Sequence, residues 1–160
     1  MKNYFFYLIV TFFYSIAYAQ QPASNSSLTK GIAALENKRY QEALADFNEF
    51  IKEHPQNPEG YFQRGILYAT LANFNPAITD YTTVIQLSPT KISGYINRGA
   101  VYAELKKYKE DLADYNKALS IKPTAELYNN RGYVYSLQSK LDEAIQDYDK
   151  AIELNPLYTK

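Results

Sequence analysis

The sequence contains no cysteine, no tryptophan, one histidine and one methionine in 160 residues. Without cysteine there is no disulfide framework, no thiol nucleophile and no thiolate metal site. A single histidine cannot build a two-histidine metal centre, and acid–base catalysis loses its commonest agent. Neither charge is in excess: 17 Lys and Arg balance 17 Asp and Glu, for a formal charge of zero. That balance leaves no basic footprint for nucleic acid or anionic lipid. What abounds is aromatic, with 17 Tyr and 8 Phe among 46% apolar residues. This is ample for the packed core of one ordinary domain.

The N-terminus reads as an export signal. Lys2 supplies a positive start, Tyr4 to Ile16 is an apolar run without a charge, and Ala17-Tyr18-Ala19 is a small-x-small cleavage pattern. The expectation is a signal peptide over 1–19, removed before Gln20, with the mature chain in a bacterial periplasm or cell envelope, or secreted. A retained membrane anchor is the alternative, but the run falls short of the roughly 20 residues that span a bilayer and no basic stop comes after it. Residues 20–27 (QQPASNSS) are polar and read as a disordered tether. Asn25-Ser26-Ser27 is formally a glycosylation acceptor in a eukaryotic host.

Beyond Ser27 the chain is periodic. Gly31, Gly65, Gly99 and Gly132 are spaced 34, 34 and 33 residues apart. Phe47, Tyr81, Tyr115 and Tyr148 keep the same intervals, and so do Pro55, Pro89, Pro123 and Pro156. The missing residue falls between Pro123 and Gly132. The units run about 24–57, 58–91, 92–124 and 125–158.

Each unit reads as a helical hairpin. In 58–91, Tyr61, Gly65 and Tyr68 share one helical stripe, while Phe74, Ala77, Ile78, Tyr81, Val84 and Ile85 form a second. Asn75-Pro76 reads as a helix start and Pro89 as a stop. Gly65 and Ala77 lack bulk, so the two helices can cross closely. One hairpin cannot bury its own stripe, whereas stacked hairpins share a continuous core.

These residues resemble the tetratricopeptide repeat (TPR) family. Tyr61, Gly65, Tyr68, Ala77, Tyr81 and Pro89 carry the likeness in one unit, and Tyr128, Gly132, Tyr135, Ala144, Tyr148, Ala151 and Pro156 in another. Tyr95, Gly99, Tyr102, Tyr108, Tyr115, Ala118 and Pro123 carry it in a third. The first unit is degenerate, with Ser27 and Ala34 where aromatics usually stand. The resemblance implies an all-α fold, a right-handed αα-hairpin solenoid of about four repeats over 28–158. It also gives a packing role to every tyrosine beyond Ser27 except Tyr133 and Tyr158, and His54, before Pro55, reads as a solvated turn residue.

A polar column is as regular as the apolar ones. Arg64, Arg98 and Arg131 each precede a repeat glycine, with Lys30 in that place in the first unit. Asp46, Asp80, Asp114 and Asp147 each precede the second-helix aromatic. The pattern suggests a structural ladder of ion pairs, within or between adjacent hairpins; an arginine row that recognises acidic partners is the alternative. Asp111 breaks its column, standing where Ala43, Ala77 and Ala144 close the crossing. The expectation there is local splaying or a partner such as Arg98.

The resemblance further implies a protein-binding groove lined by the first helices. The positions taken as partner-binding are Phe62, Ile66, Ile96, Glu104, Asn129, Tyr133 and Leu137, which suit apolar anchors for a partner helix or strand. Filling of a narrow superhelical channel is the plainer use of the same residues. Leu28, Ile32, Ser93 and Asn97 include no lysine, which speaks against the clamp on a partner's C-terminal carboxylate found in one subgroup. Leu141, Ile145, Ile152 and Leu157 form an apolar edge on the last repeat, suited to self-association unless Leu157 and Tyr158 fold back over it. Asp142 and Glu143 are the best carboxylate pair for an enzyme. They are adjacent at a helix start, where acids are routine. The sequence is therefore read as an exported, non-enzymatic interaction scaffold whose partner is another protein. No cofactor, metal, nucleic acid or small-molecule substrate is expected, and a self-assembling envelope protein is the alternative.

Overall fold

The structure, a computed structural model, describes residues 27–159, and the expected signal peptide and nearly all of the expected tether lie outside them. Ser27 corrects the tether boundary: it opens the first helix and is buried. The described residues form eight α-helices in four hairpins. Helix α1 (Ser27–Glu36) pairs with α2 (Tyr40–Glu53), and α3 (Pro58–Thr70) with α4 (Phe74–Leu87). Helix α5 (Ile92–Glu104) pairs with α6 (Tyr108–Ile121), and α7 (Ala125–Leu137) with α8 (Leu141–Leu154). A short 3₁₀ helix, Pro156–Thr159, packs against α8. Sequential hairpins pack on one another, as a solenoid requires.

Local chemistry sets the boundaries. Asn57 caps α3, its side chain accepting the Glu59 N–H at 2.9 Å, with Pro58 at the first position where no N–H is needed. Thr124 caps α7 through the Leu127 N–H at 3.3 Å. Helix α4 begins earlier than the Asn75-Pro76 signal suggests: Asn73 holds the N-cap position and Pro76 lies inside the first turn, where backbone donors have no intrahelical partner. Within every hairpin the connecting turn reaches the left-handed region at one residue, Lys38, Ala72, Lys106 or Ser139, with φ of 56–59°. None of the four is glycine, so each hairpin carries a backbone penalty of about 1 kcal/mol at that point.

The core lies along the stack, and each portion borrows from the next hairpin. Ala34, Ala43 and Phe47 of the first hairpin receive Leu67 from α3. Phe62, Ala77, Tyr81 and Val84 receive Val101 from α5. Tyr95, Tyr115, Ala118 and Leu119 receive Leu127 and Val134 from α7. Burying one such aliphatic side chain is worth roughly 1.5–3 kcal/mol, so each junction contributes to the stability of both neighbours. The glycine column permits the crossings: a methyl on Gly31 or Gly65 would lie 2.6 or 2.7 Å from the ring of Phe47 or Tyr81. Tyr61 and Tyr95 also tie turns to helices, donating to the Pro55 and Pro89 carbonyls at 3.2 and 3.1 Å. No described helix is long and apolar enough to cross a membrane.

Candidate functional site

The polar column forms a ladder, and its rungs reach both within and between hairpins. Arg64 donates from Nε and Nη2 to both carboxylate oxygens of Asp80, at 2.8 and 2.7 Å. Arg98 does the same to Asp114 at 2.9 and 2.7 Å, and Arg131 to Asp147 at 2.7 Å twice. The remaining Nη1 of each arginine crosses to the preceding hairpin: Arg64 to Asn48 at 2.6 Å, Arg98 to Thr82 at 2.9 Å, Arg131 to Asn116 at 2.6 Å. Arg64 and Arg131 each stand between two tyrosine rings of their own helix (61 and 68; 128 and 135), and Arg98 stands over Tyr102, all within cation–π range. The hydrogen bond to the partner aspartate raises each guanidinium above its already high pKa, with burial opposing it. Only the planar arginine fork can hold one carboxylate with two donors and reach sideways with a third.

The first rung departs from this pattern. Among the described residues Lys30 and Asp46 form no ion pair with each other or with any other group. A point-charge ammonium lacks the fork, and no preceding described helix offers it a second acceptor.

The expected groove residues divide by accessibility. Phe62 is 0% exposed and belongs to the core. It is therefore not available as a surface anchor, which corrects the sequence reading. It packs in the cluster of Ala77, Tyr81, Val84 and Val101, and Lys91 lies against it, with Nζ 4.9 Å from the Phe62 ring centroid and paired with Glu59 at 2.7 Å. Glu59 is held in turn by Gln63, which donates to its other oxygen at 2.8 Å. Sequence reasoning missed this clip; the available signal was a lysine in the N-cap position that Asn57 and Thr124 occupy in neighbouring hairpins. Ile66, Ile96 and Asn129 are half-buried, whereas Glu104, Tyr133 and Leu137 are exposed. Tyr133 and Leu137, 38% and 44% exposed, lie one turn apart on α7 and form the accessible apolar part of the set.

Among the described residues, the outer face of α8 is a second exposed apolar surface. Leu141 and Ile145 are 63% and 56% exposed, while their counterparts Phe74 and Ile78, or Tyr108 and Leu112, are half-buried. Leu157 is exposed as well and does not close this face. Asp142 and Glu143 are exposed acids in the first turn of α8. His54 caps the end of α2 and packs on Phe50 with ring centroids 4.7 Å apart, a turn role. Among the described residues no three His, Asp or Glu side chains group as metal ligands.

Asp111 is the anomalous group. It is 0% exposed, and neither carboxylate oxygen has a hydrogen-bond partner. Arg98, the partner the sequence suggested, is committed to Asp114 and Thr82. Burial first, and the neighbouring Asp114 second, push the Asp111 carboxyl up to about 7.

Stacked αα-hairpins with a glycine–aromatic crossing and an arginine–aspartate ladder define a class of helical repeat proteins built to present surface along a superhelix. Models of the tetratricopeptide repeat match residues 14–58, 28–91, 92–124 and 125–158. The chain belongs to the tetratricopeptide repeat family, and so to the protein–protein interaction scaffolds.

Among solved structures it is similar to MamA (41-end) from Desulfovibrio magneticus RS-1, 25% identical over 84% of this chain and 78% of that one, with a TM-score of 0.73. A crystal structure of MamA is 23% identical over 81% of this chain and 77% of that one, with a TM-score of 0.77. MamA MSR-1 is 20% identical over 81% and 75%, with a TM-score of 0.71. Among curated proteins no sequence matches.

Proposed function

We propose that the chain is an exported scaffold that holds a helix or extended segment of another protein along the face formed by its first helices. The observation that carries this reading is the exposed pair Tyr133 and Leu137 on α7, with half-buried Ile66 and Ile96 at the equivalent stripe of α3 and α5. Apolar side chains one turn apart, with the polar Asn129 one turn before them on the same helix, suit the anchors of an amphipathic partner. The ladder arginines are poorly placed as an alternative site, since Nε and both terminal nitrogens of each already hold an acceptor. Export is supported by Lys2, the uncharged apolar run and Ala17-Tyr18-Ala19.

A photo-crosslinking amino acid placed at position 133 of the full chain in its native host tests the groove. Adducts to a different protein from position 133 support it. Adducts from position 145 alone transfer the site to the outer face of α8. Intact mass of the chain recovered from the envelope fraction tests export, with a first residue of Gln20 expected and a retained Met1 against it.

The exposure of Leu141 and Ile145 favours a second reading, self-assembly through the outer face of α8. In that case position 145 crosslinks to another copy of the same chain, and sedimentation velocity shows a size that grows with concentration.

A further inference from the structure

In three of the four hairpins the glycine of the first helix faces an aromatic ring from the second. A methyl on Gly31, Gly65 or Gly132 would meet Phe47, Tyr81 or Tyr148 at 2.6, 2.7 or 3.0 Å. The third hairpin is built differently. A methyl on Gly99 would meet Asp111 Oδ1 at 2.9 Å first, then Asp114 Cβ at 3.5 Å and the Asp111 carbonyl at 3.7 Å, with no atom of Tyr115 nearer. A carboxylate has taken the place that an aromatic ring fills elsewhere, at a position where the other hairpins carry alanine.

The surroundings offer that carboxylate no hydrogen-bond donor when it is charged; only its place in the first turn of α6 favours the anion, by a fraction of the burial cost. On α6, Asp114 lies one turn away and Tyr115 beside it is buried. On α5, the charged neighbour is Arg98, whose donors go to Asp114 and Thr82. On α7, Glu126 adds negative potential at Tyr115, whose hydroxyl is raised by burial first and by Asp111, Glu126 and Asp114 after it. Lys107, whose carbonyl receives the Asp111 N–H, is itself exposed. An ionised group so placed keeps its desolvation cost without a compensating bond, and a neutral carboxyl avoids most of it.

We propose that the third hairpin is a proton-linked joint in the solenoid, closed around Asp111 as the neutral acid and loosened when that carboxyl ionises. The joint is α5 against α6, so it operates whatever the groove binds. It places a pH response in the middle of the stack, where α5 supplies both a core junction through Val101 and the groove position Ile96.

Linkage fixes the sign. A folded-state midpoint near 7, against 3.8 for the free side chain, gives stability that is fully present below the lower midpoint and is lost progressively as pH rises from there to neutrality. Between pH 5 and pH 8 this group alone lowers the folding equilibrium constant on the order of a hundredfold, since each pH unit between the two midpoints is a factor of ten.

The test compares the full chain with Asp111→Ala and Asp111→Asn by urea unfolding at pH 5, 6, 7 and 8. Carboxyl carbon NMR of aspartate-labelled protein reads the Asp111 midpoint directly. Alanine is the residue that three hairpins already carry at this position, so that variant retains the fold. The expected result is a wild-type to Asp111→Ala ratio of folding constants that falls on the order of a hundredfold from pH 5 to pH 8, an Asp111→Asn profile lacking that fall, and a carboxyl midpoint near neutrality. A ratio independent of pH, or a midpoint in the ordinary carboxylate range near 4, overturns the joint.

Discussion

Removing the Arg98 side chain should cost far more than a surface ion pair would. The guanidinium makes two charge-assisted bonds to Asp114, at 2.9 and 2.7 Å, and one bond to Thr82 at 2.9 Å. The side chain of Asp114 is only 6% exposed, so Arg98→Ala strands a carboxylate that water barely reaches, with Asp111 one turn away on the same helix. Breaking a buried pair from one side typically costs about 3–5 kcal/mol. The partial exposure of Arg98 argues for the lower end, about 3 kcal/mol. Thr82 adds little to the loss, because its hydroxyl still donates to the Ile78 carbonyl at 2.7 Å. For a domain of this size such a loss lowers Tm by roughly 10 °C. Asp114→Ala should cost less, about 2 kcal/mol, since the freed guanidinium can turn toward solvent. The double variant leaves no stranded charge, so its loss should be smaller than the sum by at least about 1.5 kcal/mol. Urea unfolding of the four proteins closes the cycle. Coupling below about 0.5 kcal/mol, the scale of an exposed pair, would refute the ladder as a structural device. An unchanged melt with lost partner binding would instead assign the arginines to recognition. Lys30→Ala, on the first rung, where no ion pair forms among the described residues, serves as the control and should stay within about 0.5 kcal/mol of wild type.

The backbone and core geometry sets three further outcomes. Ala72→Gly relieves a left-handed backbone position at an exposed turn and should raise stability by about 1 kcal/mol, read from the shift in urea midpoint. Gly65→Ala drives a methyl to 2.7 Å from the Tyr81 ring and should cost about 1–3 kcal/mol by the same assay. Phe62→Ser should lose at least about 3 kcal/mol, and Tyr133→Ser, at a side chain 38% exposed, markedly less; thermal melts followed by circular dichroism separate a core residue from a partly exposed one.

Much of the fold is legible in the sequence because a repeat states each requirement several times. The glycine, aromatic and proline columns share one ruler, and the paired columns of basic and acidic residues point to the ladder. That ladder's sideways reach to Asn48, Thr82 and Asn116 is not legible, because those acceptors are ordinary polar residues without a sequence signature. The left-handed turn is hidden for a related reason: Lys38, Ala72, Lys106 and Ser139 include no glycine to mark it. Phe62 sits on the stripe assigned to the groove, yet it is buried in a core cluster with Tyr81 and Val84 of α4 and Val101 of α5, and Val101 reaches it only after hairpins stack. Asp111 is visible as a broken column. That Arg98 would not rescue it depends on the ladder claiming that arginine's donors, which is a fact of three dimensions.

The most direct test of the interaction surface is a quantitative capture from the native host with two matched baits of the full chain, each first shown to melt like wild type. One bait carries Tyr133→Ser with Leu137→Ser on α7, and the other carries Leu141→Glu with Ile145→Glu on α8. A groove-binding scaffold loses its partner with the first bait and keeps it with the second; loss with the second bait and retention with the first contradicts the groove and moves recognition to the outer face of α8.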